Sequence, residues 1–159
     1  MGAFRNGKSD LPEERQIHLN RVYWDTMIFI YLLEGHPDLG PLVKSLHTAM
    51  QNRKSRLFTS AFTAAEVLAG LEKLCATDLL VVAQEFFSSS QVEVLPFDLA
   101  TAKVYGSVRA QTNISAQDAI HIATAAHTGV DLFITNDKKL QKLSVPGIRF
   151  VAGLDGRLW

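Results

Sequence analysis

The chain has 159 residues, a length that suits one domain and lets roughly 70% of the unfolded surface be buried around one core. Hydrophobic residues make up 47% of the chain, a composition that excludes a disordered or low-complexity protein. Because 16 Lys and Arg balance 16 Asp and Glu, the formal net charge is zero. No apolar run is long enough to span a membrane and no signal-peptide pattern is present, so we expect a cytoplasmic protein. The single cysteine, Cys75, is expected to be a buried structural thiol.

The first twenty residues differ in character from the rest of the chain. Residues 1–20 are polar, carry charges of both signs and lack a sustained apolar period, which indicates a mobile or weakly docked N-terminal arm. No linker or internal repeat interrupts the remainder. We therefore expect a single domain over residues 21–159.

From Arg21 onward, short β-favouring runs alternate with stretches of helical periodicity. In chain order the pattern predicts a strand at 22–24, helices at 26–33 and 41–52, a strand at 57–59, helices at about 60–73 and 77–88, a strand at 92–95, helices at 98–111 and 116–128, a strand at 132–135, a short helix at 138–143 and a strand at 148–151. Asp98 and Ser115 are predicted helix N-caps, Gly129 a helix end and Asp131 a turn residue. Five strands separated by helices predict a three-layer α/β/α sandwich around a five-stranded, mostly parallel sheet.

Four acidic residues stand in apolar or small-residue surroundings near strand ends or helix starts: Asp25, Glu66, Asp118 and Asp137. Ligands of open parallel sheets bind beyond the carboxyl ends of the strands, so these side chains are the candidates for a common site. A carboxylate is rarely buried unless it is paired or bound to metal, and only Asp137 has adjacent basic residues. Oxygen ligands without a Cys or His cluster favour Mg²⁺ or Mn²⁺ over zinc.

Each of these acids also has an ordinary structural interpretation. Asp25 and Asp137 stand where helix N-caps stand, and Glu66 suits a half-exposed helical position. Asp118 suits a first-turn acid that interacts with the helix dipole. Their occurrence together, at positions that a parallel sheet brings to one edge, favours a site. His121, three residues after Asp118, is interpreted as structural, with contact to substrate or to the metal ligands as the alternative.

The residues around the four acids resemble those of PIN-domain nucleases, and within that family those of VapC-type toxin ribonucleases. The motifs are YWDTMIFIYLL around Asp25, TSAFTAAEVLAGL around Glu66, ISAQDAIHIATA around Asp118 and LFITND around Asp137. They occur in the family's order between residue 21 and about residue 151. The chain departs from the family pattern in having twenty residues before the first strand.

The resemblance implies a Mg²⁺- or Mn²⁺-dependent endoribonuclease, the toxin of a toxin–antitoxin pair, with metal-activated water as the nucleophile. By motif position it gives the catalytic and metal-binding roles to the four acids, and roles toward metal or substrate to Thr26, Thr135 and Asn136. It also implies an RNA substrate, a protein antitoxin that masks the acidic pocket, and the homodimer common in the family. Helices over residues 41–73 are the expected groove for the antitoxin.

Two other functions stay open at this point. The first is a non-catalytic RNA-binding or scaffold domain with the same fold, although the full set of four acids argues against it. The second is a receiver-type domain with Asp25 as phosphoacceptor, although the chain lacks the paired acids and late-strand lysine of receivers. The chain also lacks a glycine-rich phosphate loop, which disfavours P-loop nucleotide hydrolysis.

The zero net charge argues against a nucleic-acid partner only if the charges are evenly spread. If four of the 16 acids are set aside in a metal-binding pocket, 12 acids face 16 basic residues on the rest of the chain. The residues expected to contact phosphates are Arg53, Lys54, Arg56, Lys138, Lys139 and Lys142. This distribution predicts modest, salt-sensitive RNA binding that Mg²⁺ strengthens.

Overall fold

The structure is a computed structural model that describes residues 18–156. The predicted N-terminal arm lies outside the described residues except for its last three. Of these, Leu19 is buried in the core and its carbonyl accepts a hydrogen bond from Ser55 Oγ at 2.7 Å. The Asn20 backbone N–H donates to Asp131 Oδ2 at 2.9 Å. The chain is thus anchored to the domain immediately before the first strand.

Five strands and six α-helices alternate along the described residues. The strands are β1 (Arg21–Trp24), β2 (Arg56–Ser60), β3 (Glu93–Leu95), β4 (Val130–Ile134) and β5 (Ile148–Ala152). The helices are α1 (Thr26–Leu33), α2 (Leu39–Asn52), α3 (Ala61–Lys73), α4 (Thr77–Ser88), α5 (Leu99–Gln111) and α6 (Ala116–Thr128). A 3₁₀ turn at Leu140–Lys142 replaces the predicted short helix. None of the helices among residues 18–156 combines the length and apolarity that a membrane crossing needs.

The predicted helix ends depend on local side-chain chemistry, and the structure confirms them for α5 and α6. Asp98 accepts a hydrogen bond from the Thr101 backbone N–H, and Ser115 accepts one from the Asp118 backbone N–H. Gly129 ends α6 with a φ of 74°, a left-handed conformation that glycine adopts without strain. Short-range hydrogen bonding is sufficient to define these boundaries.

All five strands lie parallel in one sheet, in the order β3-β2-β1-β4-β5. The chain builds outward from β1 to β3 and then returns to place β4 beside β1. The strand order therefore reverses between β1 and β4, the place where open α/β sheets bind ligands. Asp25 and Thr135 directly follow these two strands.

Alternating side chains of the central strands divide the core into two layers. Val22 and Trp24 face the core formed with α1 to α4, whereas Tyr23 faces the core formed with α5 and α6. The Tyr23 ring stacks on Phe133 of the neighbouring strand with centroids 4.9 Å apart. Because both faces of the sheet are covered by helices, the predicted three-layer α/β/α sandwich is confirmed.

Two expectations about single residues are wrong. Cys75 is exposed, because it occupies a turn after α3 with a φ of 52° and faces no core. Asp131 lies inside β4 and not in a turn, since the strand begins two residues earlier than predicted. Its carboxylate accepts hydrogen bonds from the backbone N–H groups of Asn20 and Arg21, both at 2.9 Å.

The antitoxin groove expected on the helices of residues 41–73 stays a prediction. Leu46 of α2 and Val67 of α3 are buried in the core, whereas Leu42 of α2 is exposed. A separate apolar groove of about 250 Å³ lies between α1 and α4. Phe29, Leu33 and Phe86 are among the residues that line it.

Candidate functional site

A cleft of about 400 Å³ opens at the carboxyl edge of the sheet, where β1 and β4 end. All seven residues predicted for the site line this cleft: Asp25, Thr26, Glu66, Asp118, Thr135, Asn136 and Asp137. The topology accounts for this arrangement, because α1, α3 and the loop after β4 all begin where a parallel strand ends. Met27, Tyr31, Gln117 and His121 also line the cleft. Of these four, the sequence pattern points only to His121, and only as an alternative to a structural role.

Asp25 is the most enclosed of the four acids. Its Oδ1 accepts a hydrogen bond from the Thr26 backbone N–H at 2.8 Å, and its Oδ2 accepts one from Thr135 Oγ1 at 2.7 Å. Burial raises the pKa of Asp25, and nearby His121 and the two hydrogen bonds oppose that rise. The repulsion from Asp118 adds to the rise. A buried carboxylate of this kind favours a bound proton or cation over the free charge.

Glu66 reaches the cleft from α3 and is held by two other elements. Its Oε2 accepts hydrogen bonds from Thr26 Oγ1 at 2.5 Å and from His121 Nε2 at 3.0 Å. Ser60 caps α3 by accepting from the Thr63 backbone N–H at 2.9 Å, which places the second turn of the helix beside the cleft. Glu66 is therefore partly exposed, as the alternative interpretation expected, but its carboxylate is held inside the cleft.

His121 contacts the acids of the cleft and is not only a structural residue of the core. The imidazole is only 3% exposed, and its Nε2 also lies 3.9 Å from Asp25 Oδ1. On its other side, Nδ1 lies 3.2 Å from the Tyr23 hydroxyl and 3.3 Å from the hydroxyl oxygens of Ser60 and Thr63. The i, i+3 spacing from Asp118 was the one signal in the sequence that pointed to the cleft.

Asp118 and Asp137 lie at the rim of the cleft, and each also has a local structural role. Ser115 Oγ donates to Asp118 Oδ2 at 2.7 Å and accepts from the Asp118 backbone N–H at 3.0 Å, a reciprocal cap at the start of α6. Asp137 Oδ1 accepts from the Lys139 backbone N–H at 2.8 Å in the turn after β4. A local structural role, in the helix cap for Asp118 and in the turn for Asp137, is therefore compatible with a place in the cleft.

Asn136 and Tyr31 connect the loop after β4 with α1. The Asn136 amide donates to the Tyr31 hydroxyl at 3.2 Å, and both residues line the cleft. Their amide, hydroxyl and aromatic ring give this wall groups that can contact a polar substrate or stack on a flat one.

The donor set of the cleft suits a hard divalent cation. Four carboxylates line it, and no Lys or Arg among residues 18–156 forms an ion pair with any of them. As the side chains stand, no three His, Cys, Asp or Glu residues of the described part are close enough together to hold a metal ion. Oxygen donors fit Mg²⁺ or Mn²⁺, and enclosing an ion requires the rim acids to turn inward.

The predicted basic rim is wrong for its first half. Arg56 begins β2 and is in register with Arg21 at the start of β1, so Arg53, Lys54 and Arg56 lie toward the amino edge of the sheet. The cleft lies at the carboxyl edge, because all strands run parallel. Arg56 is moreover paired with Glu93 at 2.5 Å.

The other three residues of the predicted basic rim lie in the segment that follows Asp137 of the cleft. Lys138 and Lys139 directly follow Asp137 in the loop after β4, and Lys142 ends the 3₁₀ turn. Lys138 Nζ pairs with Asp155 Oδ2 at 3.2 Å, with both side chains exposed. Lys139 and Lys142 are also exposed, and neither forms an ion pair with another of residues 18–156.

Several solved structures share this fold at low sequence identity. VapBC2 from Rickettsia felis, bound to a DNA fragment from its promoter, is 18% identical with a TM-score of 0.68, and the match covers 84% of this chain and 98% of that chain. A toxin–antitoxin complex from Klebsiella pneumoniae is 22% identical with a TM-score of 0.63, covering 80% and 94%. VapC20 from Mycobacterium tuberculosis, a sarcin–ricin loop cleaving toxin, is 16% identical with a TM-score of 0.60, covering 77% and 96%.

Sequence comparison supports the same assignment at the level of the family. Among curated proteins, none matches this chain. The model of the PIN domain family, however, matches residues 22–146, which include all but the first residue of β1, all of β4 and all four cleft acids. The fold, the order of the motifs and this match agree, and the chain therefore belongs to the PIN-domain family.

Proposed function

We propose that this protein is a metal-dependent endoribonuclease that hydrolyses RNA phosphodiester bonds, with Asp25, Glu66, Asp118 and Asp137 as the ligands of Mg²⁺ or Mn²⁺. One observation carries the proposal. Asp25, whose side chain is only 14% exposed, lies where the strand order reverses, in a cleft with three further carboxylates, and no Lys or Arg of residues 18–156 forms an ion pair with them. A divalent cation offsets such a charge cluster most directly.

The residues of the cleft have distinct tasks in this proposal. A bound Mg²⁺ supplies a Lewis acid for a phosphate oxygen and lowers the pKa of a coordinated water. Thr135 and the Thr26 backbone N–H orient the Asp25 carboxylate, and the Thr26 hydroxyl orients Glu66. Asn136, next to Tyr31, lies where it can bind substrate. Attack by water predicts products with 5′-phosphate and 3′-hydroxyl ends.

RNA as the substrate and a toxin role are inferred from family and fold. The similar structures include a toxin that cleaves the sarcin–ricin loop and complexes of toxins with antitoxins. We infer that this chain is the toxin of such a pair and acts on RNA in the cytoplasm. Its antitoxin is proposed to mask the cleft with Arg or Lys side chains directed at the unneutralised carboxylates. The proposed homodimer is checked by light scattering during size-exclusion chromatography.

The proposal is tested by RNA cleavage with purified protein in Mg²⁺ and in EDTA. We expect Asp25→Asn and Asp118→Asn to abolish metal-dependent cleavage while the far-UV circular dichroism stays unchanged. The matched control is Asp78→Asn, which alters an exposed first-turn acid of α4 outside the cleft and is expected to cleave normally. Full activity of both cleft variants would refute the proposal. Sequencing of RNA ends after brief expression of wild type and Asp25→Asn identifies the target.

One observation favours a second candidate, a PIN-domain protein that binds RNA without cleaving it. Carboxylate oxygens of Asp25, Glu66 and Asp118 all accept hydrogen bonds from protein groups, and no three ligands among residues 18–156 are close enough to hold an ion as they stand. A Mn²⁺ titration combined with a cleavage assay on structured RNA separates the two functions. RNA binding without cleavage at saturating Mn²⁺ supports the second candidate.

A further inference from the structure

We propose that His121 is a positioning residue that fixes the Glu66 carboxylate so that its Oε1 is presented to the metal ion. This inference rests on the proposed function and adds a residue to it. It is carried by a chain of buried contacts that leads from the sheet to Glu66 through His121.

The contact with Glu66 defines the orientation of the imidazole. An ionised carboxylate only accepts hydrogen bonds, so the ring nitrogen 3.0 Å from Glu66 Oε2 must carry the hydrogen. In the tautomer with the hydrogen on Nε2, Nδ1 is an acceptor, and the Tyr23 hydroxyl, 3.2 Å away, is a suitable donor to it. In this tautomer the hydrogen bonds run in one direction, from Tyr23 to His121 to Glu66.

The groups behind His121 are themselves held in place. Tyr23 has no exposed surface and stacks on Phe133 with an angle of 9° between the rings. Phe62 covers the imidazole with centroids 5.4 Å apart. A donor at the end of such a packed chain loses little conformational freedom when it binds the carboxylate.

The result for Glu66 is an asymmetric carboxylate. Oε2 receives both hydrogen bonds, from His121 and from Thr26, and no hydrogen bond to Oε1 is found among the described residues. The Glu66 side chain is 29% exposed, so without His121 it has room to rotate away from Asp25 toward solvent. Groups that hydrogen-bond to metal ligands commonly orient them in this way.

The test measures Mn²⁺ affinity by calorimetry in wild type, His121→Leu, Glu66→Gln and the double variant. We expect His121→Leu to weaken binding about tenfold, at the lower end of the range for such supporting groups. If His121 acts through Glu66, the same substitution has no further effect in the Glu66→Gln background. A general structural role would weaken binding equally in both backgrounds, and that result would overturn the inference.

Two further variants and a control keep the test decisive. His121→Gln retains an amide donor and is expected to recover most of the affinity that His121→Leu loses. If His121→Leu does not fold, Tyr23→Phe removes only the hydroxyl behind the imidazole, and a loss of Mn²⁺ affinity that vanishes with Glu66→Gln is expected. His127→Gln, at an exposed position near the end of the same helix, is the control and should bind as wild type does.

The outcomes separate this inference from the proposed function. Absence of Mn²⁺ binding by wild type overturns both. Normal binding by wild type, together with undiminished binding by His121→Leu, overturns only the positioning role of His121 and leaves the metal-dependent nuclease standing.

Discussion

At the scale of single residues, Asp25 combines a helix cap with a buried charge. Its carboxylate accepts from the first backbone N–H of α1 and also lies in the cleft. The cap at Asp25 is confirmed and its role as a metal ligand stays a prediction, but the two are compatible, because a helix that starts at a strand end directs its N-terminal donors toward the same cleft. Asp118 differs in this respect, because Ser115 is the cap of α6 and the Asp118 carboxylate accepts from the Ser115 hydroxyl while it lines the cleft.

Asp25→Asn is predicted to raise the melting temperature of the metal-free protein at neutral pH. Burial raises the pKa of Asp25 above its ordinary 3.8, so the folded state binds this proton more tightly than the unfolded state does. Ionisation of Asp25 therefore lowers the free energy of unfolding progressively as the pH rises from 3.8 through the higher pKa of the folded state. Calorimetry in EDTA should show the advantage of Asn at pH 7 and its decline toward pH 4.

Asp155→Asn is the control for this prediction. Asp155 is exposed, and its hydrogen bond and ion pair with Lys138 lower the pKa of its carboxyl. Its contribution to stability has the opposite sign and is lost as pH falls. An increase in melting temperature for Asp155→Asn equal to that for Asp25→Asn would show that the loss of one negative charge, and not burial, causes the effect.

Thr135→Val is predicted to destabilise the protein by about 1.5 kcal/mol, the lower range for a hydrogen bond to a charged group. Thr135 is fully buried, and its hydroxyl donates to Asp25 Oδ2 while it accepts from the Asp137 backbone N–H at 3.1 Å. Urea unfolding measures the change. Thr124→Val, which removes another buried hydroxyl that bonds only to a carbonyl of its own helix, should change stability by less than about 0.5 kcal/mol.

At the scale of elements, two glycines differ in whether the structure leaves room for a side chain. Gly147→Ala is predicted to destabilise by about 1 to 3 kcal/mol, because φ is +94° and a Cβ would lie 2.2 Å from the Ala126 carbonyl oxygen. This close approach lets the turn before β5 pack against α6. Thermal unfolding or urea titration gives the magnitude.

Gly70→Ala is predicted to have the opposite sign. Gly70 lies inside α3, and a Cβ there would meet nothing within 4 Å. Alanine in an open helical position stabilises by roughly 0.5 to 1 kcal/mol. A stabilising Gly147→Ala or a destabilising Gly70→Ala would contradict this account of the two positions.

At the scale of the whole molecule, the two groups of basic residues lie toward opposite edges of the sheet. We predict that the double substitution K139E/K142E weakens RNA binding and makes the plot of log affinity against log salt less steep. The slope should become less negative by about 0.7 for each phosphate of single-stranded RNA that the protein no longer neutralises. The matched double substitution R53E/K54E changes net charge equally at the amino edge. It should leave the slope unchanged, as measured by fluorescence anisotropy at several salt concentrations with Asp25→Asn protein.

Much of the architecture was predictable from local pattern. The alternation of strand and helix, the caps at Asp98 and Ser115 and the left-handed Gly129 all depend on neighbours within one helical turn. The acids at strand ends were predictable because parallel strands bring their carboxyl ends to one edge. The exposure of Cys75 and the strand position of Asp131 were not, since both depend on how the flanking elements pack.

The sequence by itself determined the elements, the parallel sheet and the identity of the four acids, because periodicity, capping and chain order are local or topological properties. Only the tertiary structure decided that His121 holds Glu66, a contact across 55 residues of chain, and that Arg56 lies toward the edge opposite the cleft. The physical reason is common to both. Which side chains meet depends on strand register and helix packing, and these are settled by long-range burial and not by neighbouring residues.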